Sequence, residues 1–534
     1  MTVASAPTST FGPLRAPLFR SLWIASIASN LGSMMHSVGA AWLMTSITTS
    51  AATIALLQTA SALPTFLLAL HAGALTDVVD RRRLLLVSQW WMAITAGVLA
   101  VLTFLELATV PVVLGLTFSL GVGVALNQPV WSAIVPELVE RSDLAQALVL
   151  NGLAFTGALA IGPALGGIVV AAAGPDAVFA INAVSFLGQI WVIWRWRRVP
   201  TATTLPAEHV TGAIRAGVRY LRFAPALQAV LVRSGAYVFG IAAMFALLPV
   251  VGRSELHLGA GGYGILLGCQ GAGAVAGGFV LPRLRRRLDT DSIAAIGTVG
   301  MAATLAAVAL VRTPAVLYPI LVVGGIAQLA MMSSLNLSTQ VALPAWVRGR
   351  GLALSTLVFQ AAIAVGAIFW GVVAAKASLA VALLAAGAYL VATVALARSF
   401  PLDRAAALDT TPMHWPEPQV TVEPDADDGP ILVTSEYRID AADADAFAHA
   451  MLALRRQRRR DGAMKWGVWY DLDDPTRHVE SYIVASWGEH LRQRDRSTLS
   501  DREPWQVVRA FHRGDEGVKV RWHLLRRAAH ERSR

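Results

Sequence analysis

From residue 19 to residue 398 the chain repeats one pattern, an apolar run followed by a short polar turn. Ser50–Thr76 and Leu84–Leu105 contain no Asp, Glu, Lys or Arg, and the turn between them packs Asp77, Asp80 and Arg81–Arg83 into seven positions. A bilayer core takes roughly 20 apolar residues per helix. The pattern therefore predicts twelve spanning helices, over 19–44, 51–76, 84–107, 110–135, 144–172, 176–195, 227–251, 261–282, 291–311, 315–341, 350–375 and 378–398. The fold class expected is an all-α polytopic membrane protein of two six-helix bundles, 1–195 and 227–400, joined by a central loop over 196–226.

Beyond Arg398 the pattern changes. Residues 401–430 form a linker rich in Pro, Asp, Glu and Thr, and 431–534 read as a soluble α+β domain. Ile431–Ile439 alternates as a strand, and Ala441–Arg460 is a helix with early acids and a late run of arginines, which suits the helix dipole. Two strands around the Asp471–Pro475 turn, two short helices and a last strand complete a β-α-β-β-α-β order, the ferredoxin-like arrangement.

Charge adds orientation. Of the 534 residues 55% are hydrophobic and 15% charged, well under the roughly 25% charged of a soluble protein. The net charge of +10 is dealt out a few arginines per loop, which argues for topology rather than nucleic acid. Arg81–Arg83, Arg141, Arg197, Arg198, Arg285–Arg287, Arg348 and Arg350 follow even-numbered spans, whereas odd loops hold Arg253, Arg312 and Lys376. The even loops and both termini are thus expected in the cytoplasm of a cell (inner) membrane. A single cysteine, Cys269, excludes a disulfide framework and a multi-cysteine metal site. No Gly-x-x-x-x-Gly-Lys loop offers direct ATP coupling. No metal or other cofactor is expected, and the tail histidines His478, His490, His512 and His523 lack ligand spacing.

The two halves repeat. Arg81–Arg83 after span 2 has its counterpart in Arg285–Arg287 after span 8, and Pro136–Arg141 after span 4 echoes Pro344–Arg350 after span 10. Such a repeat places substrate at the midplane between the halves.

The turn Gly73-Ala-Leu75-Thr-Asp77-Val-Val-Asp80-Arg81-Arg82 resembles the loop signature of the major facilitator superfamily, with Val78 and Asp80 departing from it. The resemblance implies a gating latch of Gly73, Asp77, Arg81 and Arg82. Gly162, Pro163, Gly166 and Gly167 in span 5 are similar to an element carried there by drug- and proton-exchanging exporters; physically, they bend the helix and allow close packing. With Phe19–Trp23, Ser29–Ser33 and the tail stretch Trp487–Arg496, the chain resembles the enterobactin-exporter-like transmembrane secretion effectors. Its tail resembles small dimeric antibiotic-biosynthesis monooxygenases, which implies a homodimer contact there.

Polar residues inside spans are the remaining candidates for a site. They are Asn30 and His36 in span 1, Gln58, Asn127 and Gln128, Asn151, Gln270, Gln328, Asn336 and Gln360. Each amide is alternatively an interhelical hydrogen bond; His36 could carry a proton at physiological pH. The function expected is secondary active export of a small molecule, siderophore or drug-like, with the proton as coupling ion. An importer, or a membrane-tethered oxidase acting through the tail, is the alternative.

Overall fold

Short side chains at the turns start the helices. Ser50, Asp80, Asp289 and Ser378 each accept a hydrogen bond from a backbone N–H in the first turn that follows, satisfying donors that a helix start leaves open. Asp80, at the position where the superfamily signature has glycine, is thus the N-cap of the third helix.

The computed structural model describes residues 11–140, 142–196, 217, 219–344, 346–406, 408–411, 413, 418 and 420–525. Its helices are α1 Pro17–Ile47, α2 Ala51–Val78, α3 Arg81–Phe104 and α4 Val110–Leu138. The run Leu144–Arg195 is broken at Gly174, whose φ of 87° only glycine adopts readily, and Pro175 follows. This divides it into α5 (144–173) and α6 (175–195). Then come α7 Pro225–Val250 with a π-helical turn Val251–Glu255, α8 Ala260–Leu284, α9 Thr290–Leu310, α10 Pro314–Ala342, α11 Arg348–Lys376 and α12 Leu379–Thr393.

Ten of the described helical runs are long and apolar enough to cross a membrane. The longest, Leu144–Arg195, supplies two crossings. α1 is not among the ten, because Ser26, Ser29, Asn30, Ser33, His36 and Ser37 make it less apolar. With α1 added the count is the twelve expected from sequence. The protein is a multi-pass membrane protein, and most of the expected central loop lies outside the described residues.

The chain divides into two compact units. The first holds residues up to 207, 231–336 and 353–401, and the second holds 208–230, 337–352 and 402–534. In the first, glycines bring backbones together. A Cβ on Gly162 would stand 2.5 Å from Met34 Cβ, and one on Gly166 2.8 Å from Met35 Cα, so one face of α5 is pressed on α1. On its other face a Cβ on Gly167 would stand 2.7 Å from Gly264 Cα of α8, and one on Gly271 2.5 Å from Ala160 Cα. Small residues at such a crossing let helices approach where lipid supplies no hydrophobic drive.

The second unit carries the tail. β1 Ile431–Arg438, α13 Ala444–Asp461, β2 Lys465–Tyr470, β3 Arg477–Val484, α14 Trp487–Asp495, α15 Arg502–Ala510 and β4 Lys519–Leu524 follow in the order read from sequence. The sheet is antiparallel in the order β2-β3-β1-β4, with Val433 paired to Tyr482 on one side and Trp522 on the other. Alternate residues of β1 are buried, and Tyr437 and Ile439 pack with Phe447, Met451 and Leu454 of α13 and Val508 of α15. Trp469 and Tyr470 on the edge strand β2 are exposed, whereas Trp466 is half-buried and donates to Glu480 at 3.0 Å.

Candidate functional site

A cavity of about 550 Å³ lies within the first unit. Residues spaced three or four apart give α1, α2 and α4 one face each toward it: Ser26, Ser29, Asn30, Ser33 and Ser37 from α1; Gln58, Ser61 and Thr65 from α2; Thr117, Gly121, Val124, Asn127, Gln128 and Trp131 from α4. Gln89 and Met92 come from α3, Asn151 and Phe155 from α5, and Phe186 and Gln189 from α6. Pro64 and Pro129 interrupt α2 and α4 beside this lining. Each removes a backbone donor and so frees the carbonyl four residues back, at Ala60 and Ala125.

Six of the residues singled out in the sequence line the cavity: Asn30, His36, Gln58, Asn127, Gln128 and Gln360. Asn151, from the wider polar set, joins them. Gln270 and Gln328 do not; Gln270 Nε2 donates to Gln328 Oε1 at 2.7 Å, tying α8 to α10. Asn336 is exposed near the end of α10. The cavity is consequently asymmetric, since among the described residues Gln360 is its sole contribution from the carboxy-terminal bundle.

Gln89 and Gln189 were not anticipated. Gln89 Nε2 donates to Gln189 Oε1 and, at 3.2 Å, to Asn127 Oδ1, which also accepts from Ser88 Oγ at 3.3 Å. This chain of amides joins α3, α4 and α6 at the wall. Listing every amide inside a span would have found it.

His36 is the one ionisable side chain among the described lining residues. It is buried against Phe179, ring centroids 4.7 Å apart, and neither ring nitrogen has a hydrogen-bond partner. The rest of the lining is hydroxyl, amide, aromatic and aliphatic, a set that offers hydrogen bonds and apolar surface.

The two bundles meet toward the helix ends that lie away from the Arg81–Arg83 turn. Thr59 Oγ1 of α2 donates to the Ala364 carbonyl of α11 at 2.9 Å, and a Cβ on Gly371 would stand 2.5 Å from Ala55 Cβ. Arg253, beyond α7, donates to Thr45 Oγ1 at 3.2 Å and lies 5.3 Å from the Trp42 ring, which stacks on Tyr263 at 6.1 Å.

At the opposite end Arg81 Nη1 pairs with Glu137 at 2.7 Å and donates to the Ala133 carbonyl at 3.3 Å. Arg82 donates to the carbonyls of Ile193 at 3.1 Å and Trp194 at 2.5 Å. Both arginines therefore tie the start of α3 to the last turns of α4 and α6 within one bundle. The backbone of Gly73 and Asp77 belongs to α2, while their side-chain environment lies outside what is described. Of the glycine element, Gly162, Pro163, Gly166 and Gly167 are all buried in α5.

Two apolar bundles around a polar cavity, with paired helices closing one end, define a transporter of the major facilitator type. The chain belongs to the transmembrane secretion effector family, whose sequence profile matches residues 8–531. It is 24% identical over 158 residues to the staphyloferrin A transporter of Staphylococcus aureus (strain NCTC 8325 / PS 47), covering 29% of this chain and 40% of that protein. It is 26% identical over 226 residues to the uncharacterized MFS-type transporter YfiS of Bacillus subtilis (strain 168), covering 40% and 53%. The matches thus span about half or less of these curated relatives. Among solved structures it is similar to a bacterial homologue of the human lysosomal transporter Spinster in its inward-facing, unoccupied conformation, with TM-score 0.56, 15% identity, and 74% and 98% of the two chains covered. A POT family transporter in complex with 5-aminolevulinic acid aligns with TM-score 0.61 at 12% identity over 74% and 97%. At these identities the likeness concerns the fold.

Proposed function

We propose that the protein is a proton-driven exporter of a small, hydrogen-bond-rich molecule without a dominant fixed charge, such as a siderophore or a drug-like compound. The observation that carries this reading is the cavity itself: amides and hydroxyls from six helices of the amino-terminal bundle, walled by Met92, Trp131, Phe155 and Phe186, with no carboxylate, lysine or arginine among its described lining. The relative named for staphyloferrin A, a siderophore, supports the cargo class. The family's description as secretion effectors supports the outward direction.

His36 is the coupling residue in this reading, because it alone among the described lining side chains is ionisable. The arginine-bearing turns lie in the cytoplasm, so contact between the bundles at the opposite ends makes this conformation inward-facing, ready to load from inside. The wall amides Gln89, Asn127 and Gln189 hold the cargo. The tail pairs with a second copy through Trp469 and Tyr470 on its exposed edge.

The test uses inside-out vesicles, with the metabolites of a producing cell as the cargo pool and an imposed proton gradient as the drive. Gradient-dependent accumulation of a siderophore-like or drug-like compound is expected, and it falls tenfold or more in His36→Ala and Gln89→Leu at matched abundance. Accumulation only in right-side-out vesicles would make the protein an importer. Uptake indifferent to His36→Ala would remove the histidine from coupling.

A further inference from the structure

The tail contains a second cavity, of about 380 Å³, on the face of the sheet that carries Val433, Ser435 and Tyr437. Its walls are aromatic, from Tyr437, Tyr482, Trp505 and Trp522. Inside it, His490 is 5% exposed. The Trp522 indole N–H, which can only donate, points at His490 Nε2 at 2.8 Å. Nε2 must therefore be the acceptor, and the ring proton sits on Nδ1. That Nδ1–H has no hydrogen-bond partner, although an unsatisfied buried donor is costly.

The other charged groups of the lining, Arg458, Asp461, Arg494 and Arg509, set the sign of what could enter. Asp461 is occupied by Arg460, at 2.8 and 3.0 Å, and Arg458 by the buried Glu480, at 3.1 and 3.4 Å. At the rim Arg509 lies exposed, its guanidinium 4.9 Å from the Trp505 ring. Donors inside and at the rim, and flat walls between them, select a planar molecule that accepts hydrogen bonds and bears negative charge.

We propose that this cavity is an effector site for a small aromatic acid, whose ring lies between the Tyr437, Tyr482 and Trp522 side chains, whose acceptor takes the His490 Nδ1 proton, and whose acid group meets Arg509. The site is wired to the transporter's own helices through Asp461, which belongs to the cavity wall and to an ion-pair joint. The Asp461 carbonyl accepts from Arg496 at 2.6 Å, Arg496 pairs with Glu489 at 2.6 Å, and Glu489 pairs with Arg219 at 3.1 Å. Arg496 also lies over the Trp346 ring at 4.9 Å, and Tyr220, next to Arg219, donates to the Ala342 carbonyl at 2.8 Å. Ala342 and Trp346 flank the connection from α10 to α11, so an occupied tail cavity pulls on the ends of two membrane helices. The binding half stands whatever the membrane cavity carries; the effector half rests on the chain being a transporter.

The experiment uses full-length protein in detergent and equilibrium dialysis with radiolabelled salicylate, with benzoate as competitor and cyclohexanecarboxylate as the acid lacking an aromatic ring. Saturable binding of one salicylate per chain is expected, displaced by benzoate and not by cyclohexanecarboxylate. His490→Phe and Arg509→Ala each weaken it about tenfold or more, and Gln89→Leu in the membrane cavity leaves it unchanged. Arg509 is exposed, so its variant reports even where His490→Phe fails to fold. Hydrogen exchange over 337–352 is expected to slow when salicylate binds. Absence of saturable binding, equal affinity in Arg509→Ala, or loss in Gln89→Leu overturns the site. Binding with exchange over 337–352 unmoved overturns its effector role.

Discussion

Arg233 shows what one charged side chain demands of a membrane protein. It lies within α7, only 3% exposed, and pairs with Asp291 at the start of α9. Removing one partner of a buried pair strands the other charge, at about 3–5 kcal/mol, whereas replacing both by apolar residues is often neutral. Asp291→Asn is therefore expected to lose most of its folded protein in detergent, measured by size-exclusion recovery, and Arg233→Met with Asp291→Leu to regain it. His490 makes the comparable case in the tail. Burial, helped by the Arg458 and Arg494 guanidinium groups, lowers its pKa to about 4, with Gln493 working slightly the other way. The unfolded histidine takes up a proton near pH 6.5, but the folded one does not until about pH 4. Its contribution is complete above pH 6.5 and is lost as pH falls toward 4, by roughly 3 kcal/mol. Burial pushes the Asp461 carboxyl up to about 6, against the opposing pull of Arg460, so over pH 4–6 it acts in the opposite direction. Comparison with His490→Phe isolates the histidine: wild type should lose more stability between pH 6.5 and 4, followed by hydrogen exchange of the β1 amides.

At the scale of elements, the Arg81–Glu137 pair holds the start of α3 against the last turn of α4. The pair is partly solvated, so a double-mutant cycle on detergent-solubilised protein should give a coupling of about 1 kcal/mol. The charge-swapped protein, Arg81→Glu with Glu137→Arg, should melt above either single variant. Equal melting of swap and singles would mean the pair contributes topology alone. The elements were largely legible in the sequence for a simple reason: both bilayer thickness and strand alternation leave a length or a period behind. β1 ends within a residue of the expected strand, β2 and β3 flank the Asp471–Pro475 turn, and the break between spans 5 and 6 falls at Gly174. Which way a membrane helix faces was far less legible. Lipid is as apolar as the protein interior, so a spanning helix has no polar side to mark its exterior. Gln270 and Gln328 look from sequence like Gln58 and Gln360, yet they bond each other across α8 and α10. Arg233 was visible as a charge inside the expected span 227–251, but its pairing was not, because the partner is 58 positions away in the chain.

At the scale of the molecule, the conformation rests on a few contacts between its two bundles. Arg253 clasping Trp42 and Thr45 is the contact among them made by a charged side chain. A cation–π contact is worth about 0.5–2 kcal/mol, and each 1.4 kcal/mol shifts a two-state population tenfold. Arg253→Ala should therefore raise the rate at which an impermeant maleimide labels Cys269, half-buried in α8, severalfold from that side of the membrane. An unchanged rate would mean that the clasp does not hold the closed state. The rest of the contact is mechanical in kind. Where α5 meets α8, Gly167 lies on Gly264, so at that crossing backbone meets backbone in place of the side-chain ridges and grooves of ordinary helix packing. Interlocked helices must change rotamers to move past one another; bare backbones need not. The seam is in effect a plain bearing, with a low barrier to sliding, and a single leucine at Gly167 would act as grit in it, slowing turnover well before it unfolded the protein.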